Sequence, residues 1–514
     1  MNMKDSKQQI NSSAKRFFSG TTLSRITGLG REVTMAALFG TAPAVAAFWM
    51  AYRFSNLLRR LFGEGALHTA FIPHYEHLRA ESPEAASRFF YDLTMGLSFV
   101  LLGIVLVAEG ILGYFLLFGE ANHDVLRLTM LLLPAILFIC LFALNSALLN
   151  CERSYFLPSF APSILNLLWM GAVFFLYKLE IGLAMERLAM VVVVAFAAQW
   201  LLTLPRITRI VSLGSNHQGF HLRSLIAIVK PFLLGMFGVA AVQINSACDA
   251  IFARAADPEG PAFLWYALRL QQLPLALFGV ALASALFPPI SRAIKNRQYE
   301  RYHEFLHFAV QRAISWMMPI SFAILSLGLA SVNLIYGHGQ FSEEAVRTTA
   351  GCLIAYGAAL LPMTITMLFA SAFYSLQNYK TPAIFASVSV LLNIGLNWLF
   401  VFVFRWGAIS VAIATTISSL ANAALLVWIL TTIQEIKWKG VVDNLARLAL
   451  SSLVASVITL YTSRFLPSVP RAFWLQIEVL AIEASIFTVS FLSVAKLSKT
   501  PFYSKLFSRS KIPL

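Results

Sequence analysis

Apolar stretches long enough to cross a bilayer recur along nearly the whole chain, and this one feature excludes most folds. A membrane span takes about 20–25 predominantly apolar residues. Read with a window of about 19 residues, the sequence predicts about fourteen spans, near 19–40, 42–66, 93–118, 126–150, 158–177, 188–206, 224–253, 263–290, 308–336, 348–376, 381–403, 409–433, 447–463 and 473–495. Of the 514 residues 58% are apolar and 12% charged, against about 45–50% and 25% in an ordinary soluble chain. No polar stretch between apolar runs exceeds about 20 residues, too few for a water-facing core. The expected fold class is an all-α membrane protein.

Charge in the loops sets the orientation. With the N-terminus inside, most Lys and Arg fall in cytoplasmic segments, and both termini are cytoplasmic. The acidic links GEANHD (119–124), DPEG (257–260) and SEE (342–344) then lie outside, and RITRI (206–210), SRAIKNRQYERYH (291–303) and the KIPL tail inside. Much of the net charge of +15 is thus a topology signal. The basic loops are read as contacts with anionic lipid headgroups rather than with nucleic acid. The polar N-terminus lacks a signal-peptide core and is expected to be retained. Cys140, Cys151, Cys248 and Cys352 are scattered, without a CxxC pair or neighbouring His cluster, which speaks against a disulfide framework or a zinc site.

A shift of about 216 residues lays the chain on itself. Trp49, Ala51, Arg53, Leu61, Phe62, Gly63, Phe71 and Pro73 fall on Trp265, Ala267, Arg269, Leu277, Phe278, Gly279, Phe287 and Pro289. Pro134 and Pro158 pair more loosely with Pro362 and Pro382. The offset covers an even number of spans, so the halves share an orientation and should be related by a pseudo-twofold axis along the membrane normal. The expected organisation is a cytoplasmic segment (1–18), two six-helix lobes (19–210 and 220–435), two further spans (447–495) and a basic cytoplasmic tail (496–514). Parallel repeats of this kind build transporters with a cavity between the lobes.

Ionisable groups in hydrocarbon are costly and tend to face a cavity. The first span carries Arg25, Arg31 and Glu32 among glycines and hydroxyls. Arg53 lies deep in the second span, and Arg269 is its repeat mate. Four arginines with few acidic partners point to an anionic ligand, because guanidinium forks match phosphate oxygens. The competing reading pairs each arginine with Glu32, Glu64 or a helix C-terminal carbonyl, so that it only fixes packing. Arg59 and Arg60, near the cytoplasmic end of the second span, are equally well explained by snorkelling.

Asp249 in the seventh span, Asn393 and Asn397 on one face of the eleventh, and Thr415 with Thr416 in the twelfth together have the composition of a small hard-cation site. Interhelical hydrogen bonding is the alternative. Glu478 and Glu483 in the last span either find partners or face a groove. The histidines make no metal motif, and no GxxxxGK[ST], GxSxG, HExxH or paired-aspartate loop is present in plausible context, so the chain reads as a secondary transporter and not an enzyme.

The run SRITGLGREVTMAALFGTAPAVAAFWMAYRFSNLLRRLFGEGALHTAFIPHYEHL (24–78) resembles the N-terminal signature of the MurJ/MviN lipid II flippases of the MOP transporter superfamily, and WYALRLQQLPLALFGVALASALFPPIS (265–291) resembles their second lobe. The resemblance implies a bacterial inner-membrane protein that moves the undecaprenyl-pyrophosphate-linked peptidoglycan precursor, lipid II, to the outer leaflet by alternating access. By motif position it implies substrate-binding roles for Arg25, Arg31 and Arg269, and for Arg59, Arg60 and Glu64, to which the in-span Arg53 is added. It also implies a groove for the polyprenyl tail at 447–495. Its partners would be lipid II, membrane lipids and other cell-wall synthesis proteins, with no nucleic acid. No cofactor is expected, and without a nucleotide-binding domain the cycle would be powered by an ion gradient, the membrane potential or downstream consumption of the product; a sodium site of some relatives matches Asp249, Asn393, Asn397 and Thr415.

The chain departs from the family pattern where Ala46 replaces an Asp, Phe54-Ser55-Asn56 replaces LPN, Leu268 replaces an acidic residue and the neutral Asn397 replaces a carboxylate. Two lost acids make the cavity more positive. Rival readings are another MOP-type transporter, exporting a different polyprenyl-linked oligosaccharide or a small molecule, and a non-transporting membrane scaffold.

Overall fold

The computed structural model describes residues 7–62, 66–119, 123–212, 225–433 and 440–500, and every regular element among them is helical. In hydrocarbon no water satisfies the backbone, so an apolar chain closes its hydrogen bonds within each helix. Two compact units, Met1–Ala247 and Cys248–Leu514, divide the chain.

The first unit holds α1 (Lys7–Phe39), α2 (Pro43–Phe62), α3 (Ala66–Glu81), α4 (Pro83–Phe118), α5 (His123–Leu132), α6 (Ala135–Cys151), α7 (Phe156–Leu176), α8 (Ile181–Leu201) and α9 (Leu204–Ser212). α10 (Ile226–Ala256) crosses the division, inside the segment that the sequence places first in its second lobe. The second unit holds α11 (Gly260–Pro274), a π-helical turn (Leu275–Val280), α12 (Ala281–Lys295), α13 (Tyr299–Tyr336), α14 (Glu343–Ala358) and α15 (Leu360–Ser375). α16 (Lys380–Trp398), a second π turn (Leu399–Val403), α17 (Ile409–Ile433), α18 (Val441–Ser463) and α19 (Phe473–Leu497) complete it.

Among the described residues the expected spans fall on these helices, singly or on consecutive ones, and eleven helical stretches are long and apolar enough to cross a membrane. The chain is therefore a multi-span membrane protein. α1, α2 and α10 are not among the eleven; α1 and α2 carry the arginines that make them poor lipid-facing helices. α1 also starts at Lys7, within the stretch the sequence assigns to a polar terminal segment.

Local chemistry accounts for the boundaries. Ser82 caps α4 by accepting from the Ala85 N–H at 3.2 Å, with Pro83 at the first helical position and Glu84 in the first turn. Ser342 caps α14 in the same way at 3.0 Å. Gly40, at φ +63°, lets the chain leave α1 through the left-handed region. Pro134, which has no N–H, divides the span expected at 126–150 into α5 and α6.

Small residues bring helices together, as is usual in membranes. α1 packs along α7, where a Cβ on Gly20 would stand 2.2 Å from Ser159 Oγ. α4 turns Phe99, Leu106, Val107, Tyr114 and Phe118 outward, a lipid-facing surface. α3 has no counterpart among the expected spans: it is short and carries Pro73, His74 and His77. Phe71 stacks on Phe89 of α4, and Arg79 donates to Glu152 at 3.0 Å and to the Cys151 carbonyl at 3.2 Å, which ties α3 to the end of α6.

Candidate functional site

The arginines of the first two spans have distinct surroundings. Arg31 is buried: its Nη2 meets Glu32 Oε1 at 2.6 Å, its Nη1 donates to Asn166 Oδ1 at 3.1 Å, and its guanidinium lies 4.6 Å from the centre of the Trp169 ring. Trp169 belongs to an aromatic box in which it stacks on Trp49 at 5.9 Å and meets Phe48 and Tyr52 edge-on. The amide of Asn166 also donates to the Ser24 carbonyl at 3.2 Å and to Thr27 Oγ1 at 3.1 Å. One asparagine of α7 thus holds the Ser24–Arg31 stretch of α1 at three points. The pairing with Glu32 that the sequence allows for Arg31 is present.

Arg25, two turns earlier, is exposed and has no ion-pair or hydrogen-bond partner among the described residues. Arg53 is buried and donates to the Ser246 carbonyl of α10 at 3.1 Å. Arg59 is half-buried and Arg60 exposed, both in the last turn of α2, where cations suit the helix C-terminus. Glu64 lies outside the described residues.

In the second unit Arg269 is half-buried on α11, with its guanidinium 4.2 Å from the Trp265 ring centre and its Nη1 3.4 Å from Gln272 Oε1. Trp265 is the repeat mate of Trp49. An arginine lies against a tryptophan in both units, but in the first neither partner is the repeat equivalent: Arg31 of α1 lies over Trp169 of α7 rather than Arg53 over Trp49.

Asp249, Asn393, Asn397 and Thr415 are brought together and buried, joining α10, α16 and α17. Asn397 Nδ2 lies 2.9 Å from Asp249 Oδ1 and 2.8 Å from Asn393 Oδ1, while Thr415 Oγ1 lies 3.1 Å from Asp249 Oδ2 and Asn393 Nδ2 donates to Thr415 at 3.2 Å. An amide donor thus occupies the place between oxygens that a cation would have to bridge. Among the described residues no group of three or more His, Cys, Asp or Glu could hold a metal ion. In this arrangement the four residues are linked in a buried hydrogen-bond network, and no transport step below is routed through a cation.

On α19, Glu478 is exposed, whereas Glu483 is buried and its Oε2 has no hydrogen-bond partner among the described residues. α18 and α19 pack on each other and on α13, and turn Leu450, Leu453, Val457, Tyr461, Ile482 and Val489 outward. Asn166 and Trp169 are absent from the sequence-derived set. Their signal was a polar residue inside a span three positions from a tryptophan, one face of α7.

The family model described as lipid II flippase MurJ matches residues 35–480. The probable lipid II flippase MurJ of Chlamydia trachomatis serovar D is 32% identical over 463 residues, covering 89% of this chain and 86% of that protein. A solved structure of a lipid II flippase MurJ in an inward closed conformation superposes with TM-score 0.77 at 25% identity, over 96% of this chain and 99% of that one. An inward-facing multidrug resistance MATE family transporter of the MOP superfamily shares the fold, with TM-score 0.63 at 15% identity over 81% of this chain and 95% of that one.

Proposed function

The chain belongs to the family of MurJ lipid II flippases, and from that premise we infer that it moves lipid II from the inner to the outer leaflet of a bacterial inner membrane by alternating access. It is a transporter and not an enzyme. We take the fourteen apolar segments as fourteen spans in two six-helix lobes and a terminal pair, with both termini cytoplasmic. The internal repeat, the helical state of every segment and the placement of acidic and basic links support this reading.

The observation that carries the mechanism is arginine set into apolar spans on α1, α2 and α11. Arg25, Arg31 and Arg53 in the first unit and Arg269 in the second are the groups assigned to the pyrophosphate and headgroup, with Arg59, Arg60 and Glu64 at the cytoplasmic approach. Arg25 is open to ligand, whereas Arg31 must exchange Glu32 or share it. The ligand's negative charge screens the arginines from one another and so stabilises the closed state more than the open one, which couples binding to motion. The exposed apolar side chains of α18 and α19 suit the polyprenyl tail. Among the energy sources open to a secondary transporter, we favour the membrane potential. An inside-negative potential draws the unliganded arginines toward the cytoplasm, with about 2.3 kcal/mol available per charge moved across 100 mV.

The test is replacement in a bacterium depleted of its own flippase, followed by an assay of outer-leaflet lipid II. The parent should restore it, and Arg25→Ala and Arg269→Ala should insert normally and fail. No rescue by well-inserted parent protein would point to another lipid-linked substrate. Rescue by the variants would retain the function and discard the site.

A further inference from the structure

The span that carries Arg269 is not a uniform helix. α11 ends at Pro274, the backbone widens into a π turn over Leu275–Val280, and α12 resumes at Ala281. Pro274 has no N–H to give to the Leu270 carbonyl, so the α-helical ladder is already interrupted on entering the turn. π turns are rare, and they concentrate at functional sites. Inside this one, Gly279 is buried, and a Cβ built on it would stand 2.8 Å from Thr364 Oγ1 and 3.1 Å from Leu275 Cδ1. Thr364 is itself fixed, donating to the Leu360 carbonyl of α15 at 2.8 Å. Only glycine allows the turn to approach α15 this closely.

The internal repeat places the same tripeptide in the first unit. Leu277-Phe278-Gly279 is matched by Leu61-Phe62-Gly63, and the mates Phe71/Pro73 and Phe287/Pro289 fall in the helices that follow, α3 and α12. In the first unit α2 ends at Phe62 and α3 begins at Ala66, with Gly63 outside the described residues. The tripeptide lies a similar distance after Arg53 and Arg269, about 15 Å along a helix at 1.5 Å per residue.

We propose that Leu277-Phe278-Gly279 is the flexure of the Arg269-bearing span, that Gly279 against Thr364 is its fulcrum, and that bending there sets where Arg269 presents its guanidinium. Gly279 and Thr364 are positioning residues. They act on ligand through the helix that bears Arg269, which lies ten residues before Gly279 and is held over Trp265. The consequence for transport rests on the role given to Arg269 above; the bend itself does not.

Two measurements test it. In the unliganded parent protein in lipid nanodiscs, hydrogen exchange in residues 275–281 should exceed that in 262–272 and 283–293, because a bending turn opens its hydrogen bonds more often than its flanks. Equal protection across all three overturns the flexure, whatever the substrate. In the flipping assay Gly279→Ala should lower kcat about tenfold or more at normal insertion and unchanged unfolding temperature. Gly279→Ala with Thr364→Ala should regain much of the rate, because the obstructing hydroxyl is gone, whereas Gly279→Ala with Thr364→Ser keeps the hydroxyl and should not. A Gly279→Ala protein that flips like the parent, or whose loss only follows its folded fraction, overturns the fulcrum. A parent that flips no lipid II while still showing rapid exchange at 275–281 refutes the transport reading alone.

Discussion

The Arg31–Glu32 pair permits a quantitative test of whether a buried cation in the first span is held by its neighbours or waits for ligand. Both side chains are nearly inaccessible, at 9% and 5% exposure. Removing one partner of a buried ion pair costs about 3–5 kcal/mol, because the other charge is left without compensation. In the Glu32→Gln protein Arg31 keeps its Asn166 hydrogen bond and its place on Trp169. A cation–π contact contributes about 0.5–2 kcal/mol, so the net loss should be nearer 2–3 kcal/mol. Arg31→Met, which leaves Glu32 buried without its cation, should cost as much or more. In the double variant both charges are gone and the methionine packs on the Trp169 ring, so stability should return to within about 1 kcal/mol of the parent. The coupling energy is then at least about 3 kcal/mol, or more than about a hundredfold in the folded-to-unfolded ratio. Denaturant titration of the four proteins in one lipid–detergent mixture measures it directly. The double variant should fold and fail to flip lipid II, which separates the packing role from the ligand role. If Glu32→Gln is as stable as the parent, or the double variant loses the sum of the two single losses, the pair does not couple and the account of Arg31 is wrong.

Two further outcomes follow from buried groups elsewhere. Asn397→Asp removes the amide that fills the space beside Asp249 and adds a second carboxylate, so it should acquire an unfolding temperature that rises with Na+ but not with choline, a binding linkage worth about 1.4 kcal/mol per tenfold excess over Kd; a parent protein stabilised specifically by Na+ would show that the native network already holds the ion. Glu483→Leu removes a carboxyl whose Oε2 has no partner, and should raise stability in the same denaturant titration by about 1–3 kcal/mol, the usual cost of an unsatisfied buried polar group; a loss of similar size would mean that the carboxylate is satisfied.

How much could be read in advance depended on how far apart the interacting residues stand. Ser24 to Leu78 and Trp265 to Ser291 carry family motifs in continuous text, so they resemble the flippases without any geometry. Asn393 and Asn397 share a helix face by spacing alone, and the structure joins them with Asp249 and Thr415 through the interhelical hydrogen bonds that were one of the two readings of their composition. The two readings of Arg31 were both open because Glu32 is its chain neighbour. What held Arg31 in place, Asn166, lies 135 residues away and had no signature stronger than one polar residue in a span. α3 was missed because a sixteen-residue helix with a proline and three histidines has no apolar run to find. The π turns were invisible because Leu275–Val280 and Leu399–Val403 are as apolar as the helices around them.

The amino-acid sequence by itself determined that the chain is an all-helical, multi-span membrane protein and which flippase family it resembles. These follow from hydropathy, periodicity and motif, which a bilayer reads locally along the chain. Only the tertiary structure decided which arginine is paired with a carboxylate, that the Asn397 amide bridges Asp249 and Asn393, and that the Arg269 span widens beside Thr364. Each depends on a contact between helices distant in sequence, and burial makes such contacts specific because an unpaired charge or a misplaced methyl has no water to relieve it.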